Sequence, residues 1–188
     1  MNVAIVGAGA AGVGVAYALR DEPADVTVFE KSRGVCGRAA TRRRAGCRYD
    51  HGANYVRADD PRVRSLLTET LDTDGLVDIA EPIHVFEADG TIEPGRDAAD
   101  HKWTWESGIT QLAKRLFART DADVRRETRV GGLERVAPTG DDVADGAWRV
   151  TEDDGTDLGR YDAVVLTPPA PQTVALLEAT DWTDPCRE

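Results

Sequence analysis

The amino-acid sequence predicts an α/β protein: a mostly parallel sheet with helices on both faces, plus a small β-rich insertion. Three observations predict it. An apolar run, a helix-favouring run and a second apolar run follow one another within the first thirty residues. A strong strand signal returns far along the chain, at residues 161–167. Between them, turn pairs such as Ala45-Gly46 and Asp89-Gly90 separate short strand-like runs. With 188 residues, a chain hides roughly 70% of its unfolded surface, enough for one medium domain with a small insertion.

Each element has a local reason. Residues 2–6 are apolar and end at a glycine, as a buried parallel strand does. Residues 10–20 are alanine-rich and favour helix, closing near Pro23, and residues 26–30 form a second strand. The stretches 39–43 and 47–50 form a hairpin around Ala45-Gly46. At 61–71, Val63, Leu66, Leu67 and Leu71 recur at helical spacing. Residues 83–87 and 91–93 read as a second hairpin, turned at Asp89-Gly90. Ser107 is placed to cap a helix over 108–119, whose Ile109, Leu112, Ala113, Leu116 and Phe117 make one apolar stripe. Strands are expected at 124–126, 129–136, 148–152 and 161–167, the last stopped by Pro168, Pro169 and Pro171. A final helix is expected around 174–177. Residues 1–56 and 101–188 then form the main domain, and 57–100 the insertion.

The charge is one-sided. Thirty-four acids face twenty-three bases, a formal net charge of −11, and Lys31, Lys102 and Lys114 are the only lysines. Such a field disfavours nucleic acid and anionic membrane as partners. Acidic pairs beside turn residues (Asp59-Asp60, Asp141-Asp142, Asp153-Asp154) read as solvated surface, in a composition like that of proteins adapted to high salt. No apolar run reaches the length that crosses a bilayer, and no basic leader precedes residues 3–6, so a cytoplasmic protein is expected. Cys36, Cys47 and Cys186 show no paired C-x-x-C spacing, and no metal site is expected.

The motif that carries chemistry is Gly7-Ala8-Gly9-Ala10-Ala11-Gly12, a G-x-G-x-x-G between a strand and a helix. Gly7 permits the tight turn, Gly9 lets backbone approach a pyrophosphate, and Gly12 lets helix and strand pack closely. Ala10 and Ala11 open the helix, whose N-terminal amides and dipole favour phosphate. Glu30, at the end of the second strand, is placed to accept hydrogen bonds from ribose hydroxyls and to repel a 2′-phosphate. These features make the fold Rossmann-like and FAD/NAD(P)-binding.

Further motifs follow: Gly37-Arg38, Ala39-Ala40-Thr41-Arg42, Asp50-His51-Gly52-Ala53-Asn54-Tyr55, Trp103 to Gly108, and Val164-Val165-Leu166-Thr167-Pro168-Pro169-Ala170-Pro171. In order and spacing the chain resembles the amine-oxidase-like flavoproteins, and within them the renalase-like group, from about residue 3 to 177. The resemblance implies FAD as cofactor. It implies that Lys31, Arg38 and Ala39 belong to the cofactor site with the glycine motif, Arg38 near the phosphates. It further implies that Gly52, Ala53, Asn54 and Tyr55 line the isoalloxazine, that Val130 meets the adenine through its backbone, and that Thr167 and Pro168 lie near the cofactor. The family is longer and carries a C-terminal glycine–aspartate segment that residues 178–188 do not supply, so a chain lacking its C-terminal part is expected.

The expected reaction is hydride transfer from a small reduced substrate, a dihydronicotinamide isomer or an amine, to flavin and then to oxygen. The sequence names no catalytic side chain. His51, His84 and His101 read as single histidines without a partner, Arg42-Arg43-Arg44 as a solvated run, and Trp103 and Trp105 as core with one facing a pocket. Two other readings stand beside it: a dinucleotide-binding module without turnover, and an NAD-dependent dehydrogenase. The expected partners are a small-molecule substrate and either a homo-oligomeric copy or a missing C-terminal half.

Overall fold

The computed structural model describes residues 1–79, 84–95, 101–136 and 147–180. The chain opens with strand β1 (Asn2–Val6), helix α1 (Ala10–Ala18) and strand β2 (Asp25–Glu30). A hairpin follows, β3 (Ala39–Arg44) and β4 (Cys47–Gly52), turning at Ala45 and Gly46, both at positive φ. After β5 (Val56–Arg57) comes α2 (Pro61–Ser65), capped by Asp60, whose carboxylate accepts from the Arg62 amide.

The helical spacing of 61–71 holds, but its second half, Leu66–Thr70, is π-helical, with the Leu71 amide reaching back to the Leu66 carbonyl at 2.9 Å. Thr68 and Thr70 donate their hydroxyls to the Arg64 and Ser65 carbonyls, which competes with the α pattern. Strand β6 (Leu76–Asp78) and the hairpin β7 (His84–Phe86) and β8 (Ile92–Pro94) come next; Ile83, expected in that hairpin, lies outside the described residues. Its turn uses positive φ at Gly90 alone, with the Glu87 amide bonded to the Thr91 carbonyl, so the loop is longer than a two-residue turn.

Strand β9 (Lys102–Trp105) leads to α3 (Gln111–Phe117). The sequence expectation of a helix from 108 capped by Ser107 fails at this end. Gly108 sits at φ +96, the Asp50 carboxylate accepts the Ile109 amide, and the Thr41 hydroxyl accepts the Thr110 amide. The chain then forms β10 (Asp123–Arg126), β11 (Val130–Val136), β12 (Ala147–Glu152), β13 (Asp157–Tyr161), β14 (Ala163–Leu166) and α4 (Ala170–Glu178). The single strand expected over 161–167 is two. Tyr161 ends β13, and Asp162 breaks the run by bonding through its backbone and carboxylate to Asn2. Asp141, Asp142 and Cys186 lie outside the described residues.

Two compact units result: Met1–Gly37 with Leu116–Glu188, and Arg38–Arg115. They divide outside the 57–100 insertion read from the sequence, because β3, β4 and the start of α3 bond to one another.

In the first unit, a four-stranded parallel sheet runs β10-β2-β1-β14. Strand β1 is covered on both sides. Val3 and Ile5 pack with Ala8, Ala16 and Val28, while Ala4 and Val6 pack with Phe29, Val130, Leu133, Val150, Tyr161 and Leu176. A strand that buries both faces reads as a continuous apolar run, which is why residues 3–6 lack alternation. Helix α1 and Phe117 of α3 cover the first face. The antiparallel meander β11-β12-β13 covers the other along with α4, so that face is not helical alone.

The second unit contains the β3–β4 and β7–β8 pairs and a three-stranded sheet ordered β5-β9-β6. Leu67, Leu71, Trp105, Ile109 and Ala113 are buried in it. Arg115 pairs with Asp72 at 2.8 Å and lies over the Trp105 ring.

Candidate dinucleotide-binding site

The glycine turn is built from both ends of the first unit. The Gly7 amide donates to the Phe29 carbonyl at 2.7 Å, so the chain leaves β1 beside the end of β2. Gly7 stands at φ +98, a region open to glycine. A Cβ on Gly12 would overlap the Gly7 carbonyl oxygen, so helix α1 sits on the turn as closely as backbone allows. Gly9 is different. A Cβ there would meet nothing within 4 Å, so the space above Gly9 is open to a ligand rather than filled by protein. Gly9 is also the N-cap of α1, and no side chain caps that end. The first amides of a helix have no partner within it. The open cradle and uncapped amides fit a diphosphate.

Glu30 is 8% exposed, and its carboxylate is already engaged. Oε2 accepts from the Ala8 amide at 2.8 Å, and Oε1 accepts from the Ser32 amide at 2.8 Å. It therefore shapes the turn itself. A carboxylate has about four acceptor positions, so two bonds leave capacity for ribose hydroxyls. Thr167 also acts on the turn: its hydroxyl donates to the Val6 carbonyl at 2.8 Å, with the Gly7 carbonyl 3.1 Å away. Segment 32–37 passes close by, with the Cys36 amide donating to the Ala8 carbonyl at 2.8 Å.

The remaining candidates fall into place as follows. Ala10 and Ala11 are exposed at the start of α1. Lys31 donates to the Gln172 side chain of α4 at 2.9 Å. The Val130 side chain belongs to the core, and Glu30 reaches its neighbourhood through the Thr128 amide, bonded to the Glu30 carbonyl. These residues share the first unit with the glycine motif. Arg38, Ala39, Gly52, Ala53, Asn54 and Tyr55 belong to the second unit. There Gly52 takes φ +99 opposite Ala39, and the Ala53 amide donates to the Arg38 carbonyl at 3.1 Å. Arg38 and Asn54 are exposed and Tyr55 is half-buried.

Residues 5–70 match the family model described as an NAD(P)-binding Rossmann-like domain. The chain carries a Rossmann-like dinucleotide-binding fold. Over 68 residues it is 40% identical to protoporphyrinogen oxidase 2, chloroplastic/mitochondrial, of Arabidopsis thaliana, a match covering 36% of this chain and 13% of that one. Among solved structures, putrescine oxidase bound to putrescine superposes with a TM-score of 0.68 at 16% identity, over 96% of this chain and 61% of that one. The CLA-producing fatty acid isomerase from P. acnes superposes with a TM-score of 0.69 at 16% identity, over 98% and 62%. At these identities the likeness establishes the fold. The Rossmann-like chain thus spans about three fifths of the solved chains it matches. Among the described residues, no helix is long and apolar enough to cross a membrane.

Sequence reasoning missed features of the second unit. His101, read as a single histidine, has a partner: its Nδ1 lies 2.5 Å from an Asp78 carboxylate oxygen, and its ring stacks on Trp103. The two meet because β6 and β9 are neighbours, and no sequence spacing encodes that. Trp103 and Trp105 do not divide between core and pocket by alternation either, since two residues apart on a strand they share one face. Arg42, Arg43 and Arg44 lie on β3, and all three are exposed as the solvated reading expects.

Proposed function

We propose that the chain binds FAD and serves as the cofactor-holding part of a flavin-dependent oxidoreductase. The observation that carries this reading is the uncapped start of α1 beneath an open Gly9. The amides of the first helical turn would hold the diphosphate, with the dipole of α1 adding to the attraction. Glu30 would keep the turn in shape through Ala8 and accept from the ribose. When bound, FAD supplies the redox chemistry, and the protein orients the substrate.

The net reaction is hydride transfer from a small reduced substrate, a dihydronicotinamide isomer or an amine, with oxygen as final acceptor. The oxidases among the similar proteins support the general class, and the order of the Gly37-Arg38 and Asp50-to-Tyr55 motifs supports the renalase-like type. We place the protein in the cytoplasm, with a small-molecule substrate and no nucleic acid or membrane partner. Its acidic, lysine-poor composition supports adaptation to high salt, which folding and flavin binding retained after salt removal would contradict.

Purified protein tests the reading directly. Yellow flavin absorbance, bleached anaerobically by a reduced nicotinamide or an amine and restored by air, is the expected result. A flavin-loaded protein that no such donor bleaches would favour a binding module without turnover. A colourless protein that binds NAD would reject FAD in favour of a dehydrogenase.

A further inference from the structure

We propose that Lys102 and Thr104 of β9 hold an oxyanion of a small ligand in the second unit. Strand β9 is the middle strand of the sheet ordered β5-β9-β6, and residues two apart on a strand project from one face, about 7 Å apart. Lys102 is 4% exposed, and its ammonium makes no hydrogen bond or ion pair with any described residue. The Thr104 hydroxyl on that face is buried and has no partner among the described residues. On the other face, the Trp103 and Trp105 indole nitrogens are buried and unpartnered too.

The chemistry of what is missing follows from the groups present. An ammonium and an indole N–H only donate; the Thr104 hydroxyl can also accept, but it has no partner among the described residues, the ammonium included. The absent partner is an acceptor. Beside a lysine that is 4% exposed as a residue it is an anionic one, because opposite charges at hydrogen-bond distance favour each other. The acid nearest in register, Asp78, accepts from the Lys102 backbone amide at 3.1 Å through one oxygen and faces His101 with the other, and it makes no ion pair with the Lys102 ammonium. In a chain with 34 acids, none pairs with the Lys102 ammonium among the described residues. A carboxylate or phosphate oxygen pair, bridging the ammonium and the hydroxyl, completes both.

The site stands apart from the flavin reading and is tested separately. The full-length chain is titrated calorimetrically with sodium n-octanoate, with phenyl phosphate, and with n-octylammonium as the control of opposite charge. At least one oxyanion binds and octylammonium does not; octanoate alone marks a carboxylate ligand, and phenyl phosphate alone a phosphate ester. Lys102→Met keeps the aliphatic stem and weakens the oxyanion by at least about tenfold, as loss of a charged hydrogen bond does. Lys102→Arg retains binding, and Thr104→Val weakens it by about fivefold, as loss of a neutral bond does. Circular dichroism reports folding. Should Lys102→Met not fold, the arginine and valine variants decide.

The proposal is overturned if neither oxyanion binds at millimolar concentration, if octylammonium binds as tightly, or if folded Lys102→Met or Thr104→Val binds like the parent. Flavin content is read on the same samples and is expected to match the parent in every variant. Oxyanion binding by a protein that takes up no flavin removes the cofactor reading and leaves this site standing.

Discussion

The Glu30 carboxylate accepts the Ala8 amide at 2.8 Å, across 22 residues of sequence. The acid that sequence logic assigns to a ribose is thus also the brace of the glycine turn. Replacing Glu30 with Gln keeps the shape but puts an amide N–H against a backbone N–H. Stability is expected to fall by about 1–3 kcal/mol, the cost of leaving a buried partner unsatisfied. Flavin affinity should fall as well. Urea unfolding of the apoprotein separates the two effects, and an unchanged midpoint would remove the bracing role.

Gly9→Ala should uncouple binding from stability. Its φ of −70 suits alanine and the new methyl meets nothing within 4 Å. The apoprotein should be as stable as the parent or up to about 1 kcal/mol more so, while flavin content drops because the methyl occupies the approach to the diphosphate. A variant that keeps its flavin would sink the open-cradle reading.

Gly12→Ala should do the opposite in the apoprotein. The added Cβ overlaps the Gly7 carbonyl oxygen, so α1 must shift off the turn. Overpacking of this kind costs about 1–3 kcal/mol. Thermal melting without ligand reads it.

Thr167→Val tests the clamp on the turn from the far end of the chain. The hydroxyl bond to the Val6 carbonyl is lost, although the Thr167 amide still donates to that oxygen at 3.0 Å. A loss of about 1 kcal/mol is expected, with a smaller effect on flavin than Gly9→Ala. A reversed order would make Thr167 primarily a ligand contact.

Asp60, which caps α2, has a pH signature. The Arg62 side chain, and then its amide, lower the Asp60 pKa from 3.8 to about 2. A depressed folded-state pKa means that the contribution is complete above the unfolded value, near 3.8, and is lost as pH falls through about 2. Carbon chemical shifts of the Asp60 side chain should therefore titrate near pH 2 in the folded chain. A midpoint near 4 would show that the cap is not formed.

The first thirty residues declared their structure because each level agreed: apolar run, glycine triplet, alanine-rich helix, apolar run. Strand β1 and the start of α1 emerge at the residues the pattern indicates. What stayed hidden depended on contacts distant in sequence. The start of α3 is set by Asp50 and Thr41 rather than by Ser107, and β13 is separated from β14 by a bond between Asp162 and Asn2. The Asp78–His101 contact and the unmet donors of β9 likewise come from the pairing of β6 with β9, which no local spacing records.

The placement of β1 between β2 and β14 has a consequence for synthesis. One flank of the innermost strand is made within moments of the strand itself, whereas the other emerges from the ribosome only after more than a hundred intervening residues. At about 5–20 residues per second, half of that ribbon waits for roughly 8 to 30 seconds with its amides and carbonyls unmatched. Chaperones that shield nascent polypeptide edges should bind the growing product longest in that interval, and release it once Ala163–Leu166 has been translated and docked.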